Sequence, residues 1–198
     1  MAQRDSGYAR IARDAYQTPP WVTDVLVNWL NDNDIWGVSR RVWEPACGEG
    51  RMVMALEARG HSVVASDIAP ACEPSEVVDF LAARSIPDGV RGIITNPPYD
   101  RADAFVERAL MLTAGDGVVA MLLPVAWDSA KTRRRFFADH PAFRCKLVLT
   151  SRIQWFDPPP AQPGQPKPAG PSENHAWFVW DWDWSWSGPP EIAWAGKP

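Results

Sequence analysis

Between Arg41 and Thr150 short apolar runs keep alternating with stretches of helical spacing, and few folds accept that rhythm. "RVWE" at Arg41–Glu44 reads as a strand, followed by "PACGEG" and a helix near Arg51–Arg59. "HSVVASD" at His61–Asp67 is a second strand and "EVVDF" at Glu76–Phe80 a short third. "VRGIITN" is a fourth that ends at Asn96, and "DAFVERALMLTA" from Asp103 has apolar positions at helical spacing. "GVVAMLLP", "SAKTRRRFFADH" and "CKLVLT" follow as strand, helix and strand. This succession predicts an α/β fold, a mostly parallel central sheet with helices on both faces. Ligands on such sheets sit beyond the carboxyl ends of the strands.

Ahead of the alternating region lies "YQTPPWVTDVLVNWL". Thr18 suits a helix N-cap, and the prolines suit a first helical turn. Trp21, Val22, Val25, Leu26 and Trp29 then form one apolar stripe, which leaves Tyr16, Gln17 and Thr18 as the exposed candidates. Behind it, "DPPPAQPGQPKPAGPS" predicts a long, semi-extended proline-rich loop over 157–174. "HAWFVWDWDWSW" closes the pattern with period two. Ala176, Phe178, Trp180, Trp182, Trp184 and Trp186 share one face, with Asp181, Asp183 and Ser185 opposite. That reads as an antiparallel strand, one face buried and one partly wet, covering a sheet edge; a base-stacking platform is the other reading.

A chain of 198 residues with 46% apolar content buries one core, so 1–198 reads as a single domain. A net charge of −4 gives no global mark of a nucleic-acid binder, and any such role needs a local patch. Cys47, Cys72 and Cys145 lack metal-type spacing and read as reduced thiols of a cytoplasmic protein, with no metal. The start, "MAQRDSGYAR", is unlike a signal peptide. The longest apolar stretch, Gly117 to Trp127, is too short for a bilayer and contains Pro124, so no membrane partner is expected.

The strand ends carry the chemistry. Glu44 precedes Pro45-Ala46-Cys47-Gly48-Glu49-Gly50, where glycines let backbone approach a ligand and helix N–H groups point at it. Asp67 ends the second strand, where nucleotide-binding sheets place an acceptor for ribose hydroxyls. Asp79 and Phe80 set an acceptor for an exocyclic amine beside a ring. Asn96-Pro97-Pro98-Tyr99 ends the fourth: each proline fixes its own φ and extends the residue before it, so the Asn96 amide and Pro97 carbonyl hold a fixed relation. Each acid alone reads equally as a cap or a solvated turn; the series together does not.

The order "YQTP", "EPACGEG", "SD", "DF", "NPPY" resembles S-adenosylmethionine-dependent amino-methyltransferases of DNA. The likeness is to the adenine-N6 type in which cofactor motifs precede the catalytic one, compact phage and prophage enzymes included. It spans Tyr16 to Asp100 and continues through "LLPVAW" to "HAWFVWD". The resemblance implies a Rossmann-like class I methyltransferase that moves a methyl group to the exocyclic N6 of a flipped adenine in DNA. It places Tyr16, Thr18, Glu44, Cys47, Gly48 and Gly50 around the cofactor's methionine end, Asp67 on the ribose, and Asp79 with Phe80 on the adenine. Asn96, Pro97, Pro98 and Tyr99 would grip and stack the target base. RNA adenine, cytosine N4, a protein glutamine, or a non-catalytic nucleic-acid-binding adaptor with the same fold are the alternatives.

Lys131, Arg133, Arg134 and Arg135 crowd one stretch beside Trp127, and Arg144, Lys146 and Arg152 add to a basic C-terminal third. Such a run suits DNA phosphates, and equally a solvated helix face. Trp155 and Phe156 stand where related enzymes often have an aromatic near the flipped base. His175 reads as structural. Sequence-specific relatives usually append a target-recognition domain. None is expected here, so a partner protein for sequence recognition is one option, and low specificity or a very short site are others.

Overall fold

The computed structural model describes residues 17–35, 40–155, 173–184 and 188–197. Among the described residues eight strands form one sheet: β1 (Arg41–Glu44), β2 (Ser62–Asp67), β3 (Glu76–Val77), β4 (Gly92–Thr95), β5 (Val118–Pro124), β6 (Phe143–Leu149), β7 (His175–Asp181) and β8 (Glu191–Ala195). Their spatial order is β3-β2-β1-β4-β5-β7-β6-β8. All ladders from β3 across to β5 are parallel, as is β6 with β8; β7 alone runs against its neighbours. The expected α/β, mostly parallel sheet with an antiparallel C-terminal strand is therefore the observed one.

Helices α1 (Pro20–Asp32) and α2 (Arg51–Ala58) pack on one face and α3 (Ala102–Leu112) on the other. The start of α1 corrects one expectation. Pro19, extended at φ −61° and ψ 143°, is the N-cap, and no side chain caps the helix. Pro20 fits the first turn, where its missing N–H is no loss, and Thr18 lies one residue ahead of the cap position. Thr18 is buried instead of exposed. Val22, Val25 and Leu26 fill the core as expected, with Trp21 and Trp29 half-buried at its margin.

The Trp-rich strand is the second correction. β7 lies inside the sheet, between β5 and β6, and every residue from His175 to Asp181 is buried. Ala176, Phe178 and Trp180 face the core under α3, as the period of two requires. Trp177 and Val179 face the opposite core, where the Trp177 indole donates to the Val22 carbonyl of α1 at 3.0 Å. A strand covered on both faces cannot show a wet side. Full burial of two tryptophans on one strand stabilises it strongly, at roughly 150–250 Å² of buried surface each. Trp186, Phe156 and the loop residues 157–172 lie outside the described residues.

Two elements are shorter or tighter than expected. β3 stops at Val77, because the Asp79 carboxylate accepts the Leu81 N–H and draws Phe80–Ala82 into a 3-10 turn. The stretch expected as one helix after β5 is a pair of 3-10 turns, Trp127–Ser129 and Lys131–Phe136. Arg133 fixes the second turn by donating to the Trp127 carbonyl and to Asp103, both at 2.8 Å. No described helix is long and apolar enough to cross a membrane.

Candidate active site

Order reverses between β1 and β4, whose carboxyl ends open a crevice at the switch point of the sheet. Glu44 ends β1 there, 1% exposed. Its Oε1 accepts from the Thr95 hydroxyl of β4 at 2.6 Å and from the Ala46 N–H at 3.1 Å. Its Oε2 is buried with no hydrogen-bond partner among the described residues. Burial pushes the Glu44 pKa up to about 8, against the Thr95 and Ala46 hydrogen bonds, with the Asp67 charge adding a little to the rise. The strand ends carrying Glu44 and Asn96 are thus tied together directly. Thr95, which made that tie, was not legible as a site residue, because a threonine before a buried strand's end has no distinctive spacing.

The loop after β1 wraps the same crevice. Gly48 and Gly50 both sit at positive φ, 51° and 80°. A Cβ at Gly48 would fall 2.9 Å from the Gln17 amide nitrogen, and one at Gly50 would strike Cys72. The chain before α1 and the loop after β2 therefore both close on this turn. Asp67 holds it: Oδ2 accepts the Gly48 N–H at 3.0 Å and Oδ1 the Ala69 N–H at 2.9 Å. Cys47 and Cys72 bring their sulfurs to 3.7 Å, and burial raises the Cys47 thiol far above its usual range. Beside Asp67 the apolar Ile68 is 57% exposed. An aliphatic residue following the strand-end acid was the one sequence signal for it.

Asp79 reaches the surface beyond β3, with one oxygen on Leu81. Phe80 departs from its expected place. Its ring is 2% exposed, edge-on to Trp43 at 5.1 Å and against Phe105 at 5.0 Å, so no open face remains for a ligand ring. Asn96 to Tyr99 follow β4; Pro97 is buried, the other three half-buried, and Tyr99 begins a 3-10 turn that leads into α3. Asn96 Oδ1 and Tyr99 Oη are both shielded from solvent. Tyr99 leans on His175 at 5.7 Å, and Trp155 meets that imidazole edge-on at 5.2 Å. Tyr16 falls outside the described residues.

The basic stretch is largely spent on the protein itself. Trp127 is 5% exposed, packed among Phe136, Phe137 and Phe178, and is a core residue instead of a substrate contact. Arg133 lies over the Trp127 ring and pairs with Asp103, so it too is structural. Arg134 pairs with Asp139 and Arg135 with Glu107 at the surface, and Lys146 with Asp128. Lys131 and Arg152 are exposed, Arg152 donating to Asn174 beside His175. A cavity of about 300 Å³ lies one residue back from the strand ends, lined by Trp43, Val64, Ser66, Val78 and Arg84.

No protein-family model matches this sequence, and no curated protein sequence does. Solved structures do. A protein assigned as a class I S-adenosylmethionine-dependent methyltransferase from Listeria monocytogenes superposes with a TM-score of 0.60 at 16% identity, over 92% of this chain and 66% of its own. An assigned RNA methyltransferase from Pyrococcus horikoshii gives 0.57 at 16% identity, over 84% and 86%. A modification subunit assigned to a type I restriction enzyme of Vibrio vulnificus gives 0.51 at 14% identity, over 91% of this chain but 46% of the subunit. The chain thus spans just under two thirds of the first and under half of the third. At these identities the likeness is one of fold: the chain has the Rossmann-like class I methyltransferase fold.

Proposed function

We propose that this protein transfers a methyl group from S-adenosylmethionine to the exocyclic N6 of an adenine in DNA. The observation that carries the reading is the tie between Glu44 and Thr95, which joins the glycine turn to the strand that presents Asn96. A cationic, amine-bearing cofactor suits the residues present. Glu44 Oε2 is a buried oxygen without a partner among the described residues, and the Gly48–Gly50 turn leaves a cradle that a Cβ would fill. Glu44 and the turn would hold the methionine end, and Asp67 the ribose. Asp79 would take the adenine amine, with exposed Ile68 as the apolar contact in place of Phe80. When bound, the cofactor supplies an electrophilic methyl group.

The chain's own residues prepare the acceptor. An exocyclic purine amine is a poor nucleophile because its lone pair is conjugated into the ring. The Asn96 carboxamide oxygen and the Pro97 carbonyl accept its two N–H bonds and turn that lone pair outward, a positioning effect with preorganised dipoles. Tyr99 stacks on the base, worth about 1–3 kcal/mol, which offsets part of the few kcal/mol needed to flip it. Arg152 and Lys131, both exposed, meet phosphates.

Incubating the protein with methyl-labelled S-adenosylmethionine and, separately, duplex DNA, tRNA and a glutamine-bearing protein tests this. Label in DNA alone is the expected result. Label in tRNA or protein alone would refute the DNA reading while keeping the chemistry, and label in none would refute both.

A further inference from the structure

His175 is a buried polar side chain beside the crevice to which the amino-methyltransferase reading gives no task. It is 2% exposed at the first position of β7, in register with Pro124 of β5, where the strands border the loop that carries Tyr99. Among the described residues neither ring nitrogen has a hydrogen-bond partner. Burial pushes its pKa down to about 4, so the ring is neutral at ordinary pH. The Glu173 backbone offsets a little of that shift without reaching bonding geometry with either nitrogen.

An imidazole left in this state is a poor choice for packing. Burying a donor and an acceptor unmatched is unfavourable, and a phenylalanine would fill the same space between Tyr99 and Trp155 without that loss. Three buried indole N–H groups do find partners, Trp43 on Ser66, Trp177 on Val22 and Trp180 on Phe136; Trp127 Nε1, in the aromatic core away from Tyr99, is one that does not among the described residues. An unmatched buried polar group calls for an explanation, and beside the loop that carries Tyr99 a ligand supplies one.

We infer that His175 belongs to the methyl-acceptor pocket, where its unmatched nitrogens are completed by the polar edge of the incoming base. The inference rests on the amino-methyltransferase reading. A neutral imidazole offers one donor and one acceptor, the complement of a heteroaromatic ring edge. Trp155, half-buried and edge-on to His175, is the ring that the base displaces.

His175→Phe separates this from a packing role, because it keeps the ring and removes only the nitrogens. The variant is expected to melt no lower than the unaltered protein and to bind S-adenosylmethionine equally well. Its KM for DNA should rise roughly tenfold or more. His175→Asn, which restores a donor and an acceptor, should recover part of that loss and serves if the first variant does not fold. Unchanged KM in His175→Phe, or loss of cofactor binding in step with DNA binding, would overturn the inference. In either case methyl transfer by the unaltered protein shows that the underlying reading survives; its absence removes both.

Discussion

Glu44 shows how much a single side chain reports on this site. The folded protein holds a proton there up to about pH 8 that the unfolded chain releases near 4.5. Stability of the empty protein therefore falls as pH rises through that interval, by on the order of 5 kcal/mol in full. Glu44→Gln is expected to raise the melting temperature near the top of that range and leave it unchanged near the bottom; an equal gain at both ends would contradict this. His175 has the opposite sign. With its folded pKa near 4 against an ordinary 6.5, it removes stability as pH falls between those values. A cation bound at Glu44 expels the proton, so calorimetry in buffers of different ionisation enthalpy near neutral pH should show about one proton released on cofactor binding. Glu44→Gln should release none. Asn96→Ala should keep cofactor affinity and lower turnover by about 10²–10³-fold, the loss typical of a removed transition-state hydrogen-bonding group. Unimpaired turnover would remove Asn96 from its role.

At the scale of elements, β4 and β5 were legible as apolar runs buried almost throughout, and β1, β2 and β6 as shorter apolar stretches broken or ended by polar residues. β8 was not. It is five residues long and follows two prolines, and its short apolar run, Ile192–Ala195, turns its two large side chains outward at the sheet edge instead of into a core. The position of β7 was illegible for another reason: period two gives the face of a side chain but not what covers the opposite face. The basic turn misled in the same way. Arg133, Arg134 and Arg135 look like a phosphate grip, and only the fold brings Asp103, Asp139 and Glu107 to meet them. Trp127→Ala is accordingly expected to cost about 3–5 kcal/mol of stability in denaturant unfolding. Arg152→Ala should weaken DNA binding at unchanged stability, and the reverse pattern would restore Trp127 to the substrate site.

Over the whole molecule, the sheet brings the chain before α1, the turn after β1 and the ends of β2 and β4 against one another, and the order of those strand ends was readable from the sequence. What the order did not give was the lining between them: Gln17 over Gly48, Thr95 on Glu44, Cys72 under Gly50, and His175 behind Tyr99. Each is a contact between segments distant in the chain, with no local spacing to betray it. The whole-molecule charge of −4, with most clustered arginines paired internally, predicts a shallow salt dependence of DNA binding. A log–log slope of magnitude below about 3 is expected, and a much steeper one would mean phosphate contacts beyond Arg152 and Lys131. The central claim is that the turn at Gly48 and the tetrapeptide at Asn96 form one amino-methylating site. Nucleoside mass spectrometry of DNA after a single turnover tests it most directly. The account predicts N6-methyladenine from the unaltered protein and none from Asn96→Ala; methylation at another atom, or equal product from both proteins, would contradict it.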